Sequence, residues 1–544
     1  MFTSHVARLV FAFVIAAAIA SPAQTFTTLL NFDGTNGSSV GSPLVQASDG
    51  DFYGTSYFGG ANNYGSIFKM TARGALTTIY NFNNTDGASP TGQLIQASNG
   101  SFYGSTTYGG ANGYAYGSIF KITPAGTLTT LHSFAETDGE NPCSNMVLAT
   151  DGNLYGVTRA GGPTGYCSNG CGTVFKISQA GTLTTLYMFQ GSGGVDGVYP
   201  CGLIQASNGD FYGATNYGGA NNFGTVFKIT PTGVLTTLHS FNIADGLYPS
   251  SDLMQASNGN IYGTTQEGGD LSCNSPYGCG VIFKVSSAGT VTTAYSFTTT
   301  AYPDTRLVQA TDGNFYGTTF EDGTNNYGTI FKLTPTFTLT TLHSFVGTDG
   351  GIPGGDLIQA TNGTFYGTTR AAGSLGDGTV FSLSTGLGPF VTLVSSSGKE
   401  SAKIGVLGQG FSSASVVKFG GTQATTVATS GTTYLTATVP AGALTGSVTV
   451  TTGSTTLTSS QQFKVKPTFT SFNPPSGTVG TSVTITGTGL EQTTKVTFNG
   501  KSAAITVNSD TQVTATVPTG ATTGKIAVFT KGGSVSSTTS FTVN

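Results

Sequence analysis

One position recurs seven times in the first 390 residues, just ahead of an apolar residue, and holds chemically unlike side chains. It reads Pro43, Gln93, Asn145, Gly202, Asp252, Arg306 and Asp356. A second recurring position, two residues past a Thr-Thr pair or its equivalent, reads Phe58, Tyr108, Ala160, Tyr217, Glu267, Glu321 and Ala371. The needs of a scaffold are common to all copies, whereas those of a ligand are not, so such variation points to binding. Charge gathers on copies five to seven as Asp252, Glu267, Arg306, Glu321 and Asp356, with Arg370 nearby. Aromatic rings gather on copies one, two and four as Phe58, Tyr108 and Tyr217. Flat rings beside carboxylates and arginine suit a sugar ligand, through stacking and hydrogen bonding. Two of Asp252, Glu267, Glu321 and Asp356 could instead form the acid/base pair of a polysaccharide hydrolase or lyase. That chemistry needs carboxyl groups roughly 5–10 Å apart across a cleft. Drift of solvated loop residues is the plainer explanation.

Other residues recur too regularly to mark one site. Asp86, Asp138, Asp196, Asp245 and Asp349 each precede a glycine between copies. Calcium prefers several oxygen ligands, but Asp-Gly is also good turn chemistry and one carboxylate per copy assembles nothing. Lys69, Lys121, Lys176, Lys228, Lys284 and Lys332 share one register, which lysine stems packed over apolar neighbours explain. His132, His239 and His343 alternate with Tyr80, Tyr187 and Tyr295, which argues for a structural place. No nucleophile elbow, metal-spaced histidine pair or phosphate loop is present, and no cofactor is implied.

The elements that position these residues follow from the repeat. Tyr-Gly recurs at Tyr53, Tyr103, Tyr155, Tyr212, Tyr262, Tyr316 and Tyr366, at a period of 50 to 57 residues. Asn-Gly or Asp-Gly precedes each, supplying the positive φ of a tight hairpin. In the second copy the pattern predicts strands at 94–97, 102–107, 118–123 and 128–134. Four antiparallel strands in seven units make an all-β, seven-bladed β-propeller. The seventh copy stops after its third strand, so the segment Thr25–Phe32 is expected to complete it and close the ring. Tight turns then share a plain face. The long second-to-third loops share the opposite one, where binding usually resides.

Six cysteines, an even number, fit an oxidising compartment. Cys167 with Cys171 and Cys273 with Cys279 occupy the same loop in different copies, and each pair is expected to close locally. Cys143 and Cys201 share a register in adjacent copies and are a candidate bridge between neighbours. At the N-terminus, Arg8, an apolar run to Ala20 and small residues at Ser21 and Ala23 predict a secretory signal over 1–23. No transmembrane segment is expected in the mature chain. Residues 1–388 hold 11 basic and 21 acidic side chains, and 389–544 hold nine and three. The acidic repeat region does not suit nucleic acid.

Beyond Gly388 two modules of about 78 residues, 389–466 and 467–544, repeat one another. Thr436-Ala437-Thr438-Val439-Pro440, for example, matches Thr514-Ala515-Thr516-Val517-Pro518. Short alternating strands over this length suit immunoglobulin-like β-sandwich modules. The recurring Leu-Ile-Gln-Ala-Ser-Asn-Gly, Phe-Tyr-Gly-Thr-Thr, Gly-Thr-Val-Phe-Lys-Ile and Leu-Thr-Thr-Leu-His-Ser-Phe segments of 24–388 resemble the GloVer tandem repeat of exported bacterial proteins. Pro474-Pro475-Ser476-Gly477, Val483-Thr484-Ile485-Thr486-Gly487 and Val517-Pro518-Thr519-Gly520 resemble the IPT/TIG module, whose Pro-Pro-Ser-Gly opening the first module lacks. The resemblance implies export and architecture, and assigns no residue a role. The expectation is a secreted binding or adhesion scaffold, with polysaccharide or a cell-surface component as partner and the sandwich modules as spacers.

Overall fold

The computed structural model describes residues 24–113, 116–143, 145–163, 167–191, 195–249 and 252–544. The secretory signal expected over 1–23 lies outside the described residues. All regular structure described is β, arranged in many small, mainly antiparallel sheets. Among the described residues, no helix is long and apolar enough to cross a membrane.

Each copy folds into one antiparallel sheet. In the second copy the strands are Ala88–Gln96, Phe102–Tyr108, Ser118–Ile122 and Leu128–Ser133. The Tyr-Gly glycine is required for space. A Cβ on Gly54 would stand 2.6 Å from Cζ of Phe68, and one on Gly213 would stand 2.5 Å from Cζ of Phe227. The third-strand phenylalanine of each copy therefore lies flat across a position that tolerates no side chain. The tyrosine before that glycine reaches the next copy instead: Tyr53 packs on Phe102 at 4.3 Å between centroids, and Tyr316 on Phe365 at 4.3 Å.

The Gln-Ala-Ser-Asn-Gly segment is a second stitch. Gln96 Oε1 accepts the backbone N–H of Ser48 at 2.8 Å, and Gln255 Oε1 accepts that of Ser207 at 2.8 Å. Apolar clusters join each copy to the next, and another joins the last to the first. In that last junction Tyr366 packs on Phe52 at 4.2 Å, and Gln46 Oε1 accepts the N–H of Thr361 at 2.9 Å. The first strand of the chain, Thr25–Asn31, pairs antiparallel with Thr379–Ser384 and completes the seventh sheet.

The aspartate series and the histidine/tyrosine series turn out to be partners. Nε2 of His132, His239 and His343 lies 3.0, 3.1 and 2.9 Å from Oδ2 of Asp138, Asp245 and Asp349. Tyr80 and Tyr187 donate likewise to Asp86 and Asp196. Each pair ties the end of the fourth strand to the following turn, so both series are structural. Among the lysines, Lys69, Lys176 and Lys228 pair with aspartates of the tight first turn.

Residues 389–544 form two sandwiches of one strand pattern. Thr392–Leu393, Lys403–Leu407, Tyr434–Thr438 and Val427–Ser430 make one sheet of the first, facing a five-stranded sheet across an apolar core. The second module repeats this order around Val483, Ile485, Val496 and Phe541. The first module lies against the tight-turn side of the repeats. Thr361 accepts the N–H of Phe390 at 3.0 Å, and Gln409 Nε2 donates to Thr361 Oγ1 at 2.9 Å. Lys464 and Lys466 donate to the carbonyls of Ser207 and Thr150 at 3.1 and 3.0 Å. Part of the tail's positive charge is thus spent on the acidic repeats.

Candidate functional site

The first-strand position that varies between copies converges on one point. Asn145 is the hub. Its Oδ1 accepts the backbone N–H of Gln93, and its Nδ2 donates to Asp252 Oδ2. The same Nδ2 reaches Asp356 Oδ2 at 3.2 Å, a residue 211 positions away in sequence. Asp356 Oδ1 accepts the backbone N–H of Arg306 at 2.8 Å, and its Oδ2 lies 3.4 Å from Arg306 Nε. Asp252 and Asp356 are only 8% and 7% exposed.

Burial disfavours a buried carboxylate, and two together repel. Burial pushes Asp252 up to about 7, the Asp356 carboxylate adds to the rise, and Arg306 opposes it. Asp356 is also raised by burial, with Arg306 offsetting. Burial thus raises both carboxyl groups of the pair, and Arg306 works against the rise at each. Among the described residues, Asp252 Oδ1 is buried and has no hydrogen-bond partner.

A cavity of about 380 Å³ opens beside this network, lined by residues of copies one, two, three, five, six and seven. Its walls include Ser42, Tyr57, Phe58, Thr91, Asp304 and Arg370. Of the residues expected at a site, Asp252, Arg306, Asp356 and Arg370 are brought together. Glu267 and Glu321 are not among them. Each pairs its backbone with the entry of the copy it contacts, through Leu247 and Ala301, and their charges bear on Tyr302. Tyr108 is half-buried, its backbone opposite Ala88. Tyr217 is 38% exposed and stands beside Tyr199 and Tyr248, with centroids 6.1 and 5.0 Å away.

Those two tyrosines, with Tyr302, escape a reading of charged positions. Each precedes a proline that opens the first strand, as do Ser89, Asn141 and Ile352. All six residues have positive φ, between 43° and 58°. Such backbone costs about 1–3 kcal/mol per residue outside glycine. It places the N–H of Tyr199 on the Cys171 carbonyl and that of Tyr248 on the Phe223 carbonyl, both at 3.0 Å. The legible signal is the dipeptide Tyr-Pro in three consecutive copies. Asp304, one residue past the proline, is a further wall residue that the variable register passes over.

The cysteines divide. Cys167 pairs with Cys171 and Cys273 with Cys279. The candidate bridge between Cys143 and Cys201 is corrected: both are thiols. They follow one another in the same sense instead of facing. Cys143 Sγ points to the Pro200 carbonyl at 3.6 Å, and Cys201 Sγ to the Pro249 carbonyl at 3.0 Å. Burial pushes Cys143 up to about 11 and Cys201 well above the usual thiol range, which makes both poor nucleophiles.

The class defined is an all-β repeat protein with C-terminal immunoglobulin-like modules. The Gloeobacter/Verrucomicrobia repeat matches residues 17–168, 95–275 and 271–407, and the IPT/TIG domain matches 389–465 and 467–543. The chain belongs to the Gloeobacter/Verrucomicrobia repeat family. No curated protein matches it. Among solved structures, a fungal alcohol oxidase in complex with copper is 12% identical, with a TM-score of 0.43, covering 95% of this chain and 99% of its own. The extracellular domain of a two-component system protein from B. thetaiotaomicron is 11% identical, with a TM-score of 0.44, covering 94% of this chain and 65% of its own. A gluconolactonase from Xanthomonas campestris is 11% identical, with a TM-score of 0.35, covering 56% of this chain and 90% of its own.

Proposed function

We propose that this protein is an exported scaffold that binds carbohydrate through the long-loop face of a seven-bladed propeller. The blades are the seven sheets of 24–388, closed by the strand Thr25–Asn31, and residues 1–23 are a secretory signal. The last-to-first apolar cluster and the Gln46–Thr361 stitch support closure. The observation that carries the function is the cavity to which six copies contribute, with Tyr57 and Phe58 in its wall and Asp252, Asp304 and Asp356 beside them. Sugars present hydroxyl groups to carboxylates and flat C–H faces to rings, and this wall offers both.

The sandwich modules do more than space. The first covers the tight-turn side, so a ligand approaches from the long-loop side, where the first strands begin. A polysaccharide hydrolase is the second reading, favoured by two carboxyl groups, Asp252 and Asp356, both raised by burial within one network. Against it, the two carboxyl groups converge on one amide nitrogen, whereas hydrolysis needs them on either side of the scissile bond, roughly 5–10 Å apart. A polysaccharide array on residues 24–544, with product analysis of each hit, decides. Retention without cleavage, lost in Asp356→Ala, is the expected result. Shortened products would establish the hydrolase, and silence would overturn both.

A further inference from the structure

Arginine is scarce in this chain and unevenly placed. There are five: Arg8, Arg73, Arg159, Arg306 and Arg370. Arg8 lies outside the described residues and Arg73 sits in an exposed turn. Of the other three, Arg370 lines the cavity, Arg306 pairs with the wall residue Asp356, and the charge of Arg159 bears on the wall residue Cys143, although the region as a whole is acidic. Arg306 is engaged by Asp356. Arg159 and Arg370 are both exposed, and neither forms an ion pair among the described residues.

These two occupy one repeat position. Tyr-Gly-Val-Thr-Arg-Ala in the third copy matches Tyr-Gly-Thr-Thr-Arg-Ala in the seventh, and the other five copies carry no charge there. The stem of Arg370 lies in a groove made for it. A Cβ on Gly354 would stand 2.1 Å from Arg370 Nε and 2.6 Å from its Cγ, and one on Gly41 would stand 2.6 Å from Nε. Neither glycine has a positive φ, so both serve the close approach alone. The guanidinium carbon stands 6.0 Å from the Phe320 ring centroid. Arg159 is held 5.6 Å from the Tyr199 centroid, and its charge bears on both thiols, of which the half-buried Cys143 lines the cavity.

A planar guanidinium, pre-positioned and lacking an internal acid, matches a planar carboxylate through two parallel hydrogen bonds. We propose that the site takes an acidic sugar, a uronic acid within a polysaccharide, with its carboxylate on Arg370. Arg159 takes the carboxylate of a further residue along the same chain. The sugar ring lies against Tyr57 and Phe58, both in the cavity wall. This rests on the carbohydrate-binding reading above and adds the charge of the ligand.

The test is isothermal titration of residues 24–544 with polygalacturonate oligomers, and with the same oligomers after their carboxyl groups are reduced to alcohols. Binding of the acid form, at least tenfold weaker for the reduced form, is expected. Arg370→Gln should weaken binding at least tenfold, Arg370→Lys less, and Arg73→Gln not at all. Gly354→Ala should mimic Arg370→Gln, because it displaces the stem without altering charge. Equal affinity for acid and reduced oligomers would overturn the acidic-sugar inference and leave carbohydrate binding standing. Equal affinity for dextran sulfate, unaffected by Arg370→Gln, would overturn it as unspecific attraction. Failure to bind either oligomer would overturn both readings.

Discussion

Asp252→Asn should make the protein relatively more stable as pH rises, the reverse of what removing a useful carboxylate does. Burial and the neighbouring Asp356 raise Asp252 from 3.8 to about 7. Between those values the folded state holds a proton that the unfolded state has released. Stability from this group is therefore full at low pH, falls across that window, and levels off above about 7. Each pH unit inside the window is worth about 1.4 kcal/mol, so the whole shift has a ceiling of roughly 4 kcal/mol. An asparagine is neutral throughout and can still accept from Asn145 Nδ2. From pH 5 to pH 8, Asp252→Asn should gain roughly 2–3 kcal/mol relative to wild type. Urea unfolding followed by tyrosine fluorescence measures this. Of 23 tyrosines only Tyr434 lies beyond residue 388, so the signal reports the repeats. A difference between the two proteins that does not change with pH would refute the reasoning.

Phe32→Ala tests the contribution of the N-terminal strand. Phe32 is fully buried beside Phe68 and belongs to the cluster joining the last copy to the first. Its loss should cost about 3–5 kcal/mol in urea unfolding, as for the equivalent Phe82; a cost under about 1 kcal/mol would mean a loose end. His132→Tyr should stay within about 1 kcal/mol of wild type, since Tyr80 already makes the same bond to Asp86, whereas His132→Ala should lose about 1–3 kcal/mol. Lys464→Glu with Lys466→Glu sets two negative charges against an acidic surface. It should speed proteolysis of the 385–390 connection, and unchanged cleavage would mean these contacts do not hold the first module.

The repeat was legible because its residues answer local needs that recur with every copy. Tyr-Gly announces a phenylalanine crossing in the adjacent strand, and Asn-Gly announces a hairpin; both are settled within about 20 residues of chain. The strand at Thr25–Asn31 could be assigned by counting, since the seventh copy lacks a fourth strand of its own. The two modules after Gly388 could be read from motifs that recur 78 residues apart. The variable register also located the charged network, because a residue that breaks a repeat serves something the repeat does not.

What sequence could not decide is which of these exceptions meet. Asp252, Glu267, Glu321 and Asp356 all read as carboxylates at positions that vary between copies. The first strands carry Asp252 and Asp356 onto the amide of Asn145, while the second strands carry the two glutamates outward to Tyr302. Cys143 and Cys201 occupy one register in neighbouring copies, yet their thiols point the same way around the site. The histidine and aspartate series were each readable alone, but their pairing depends on how a strand end folds back onto its turn. Sequence fixes what a residue offers and its place within one copy. Distances between copies arise only when seven sheets pack, and so the meeting of Asp252 with Asp356 and the groove that holds Arg370 belong to the tertiary structure.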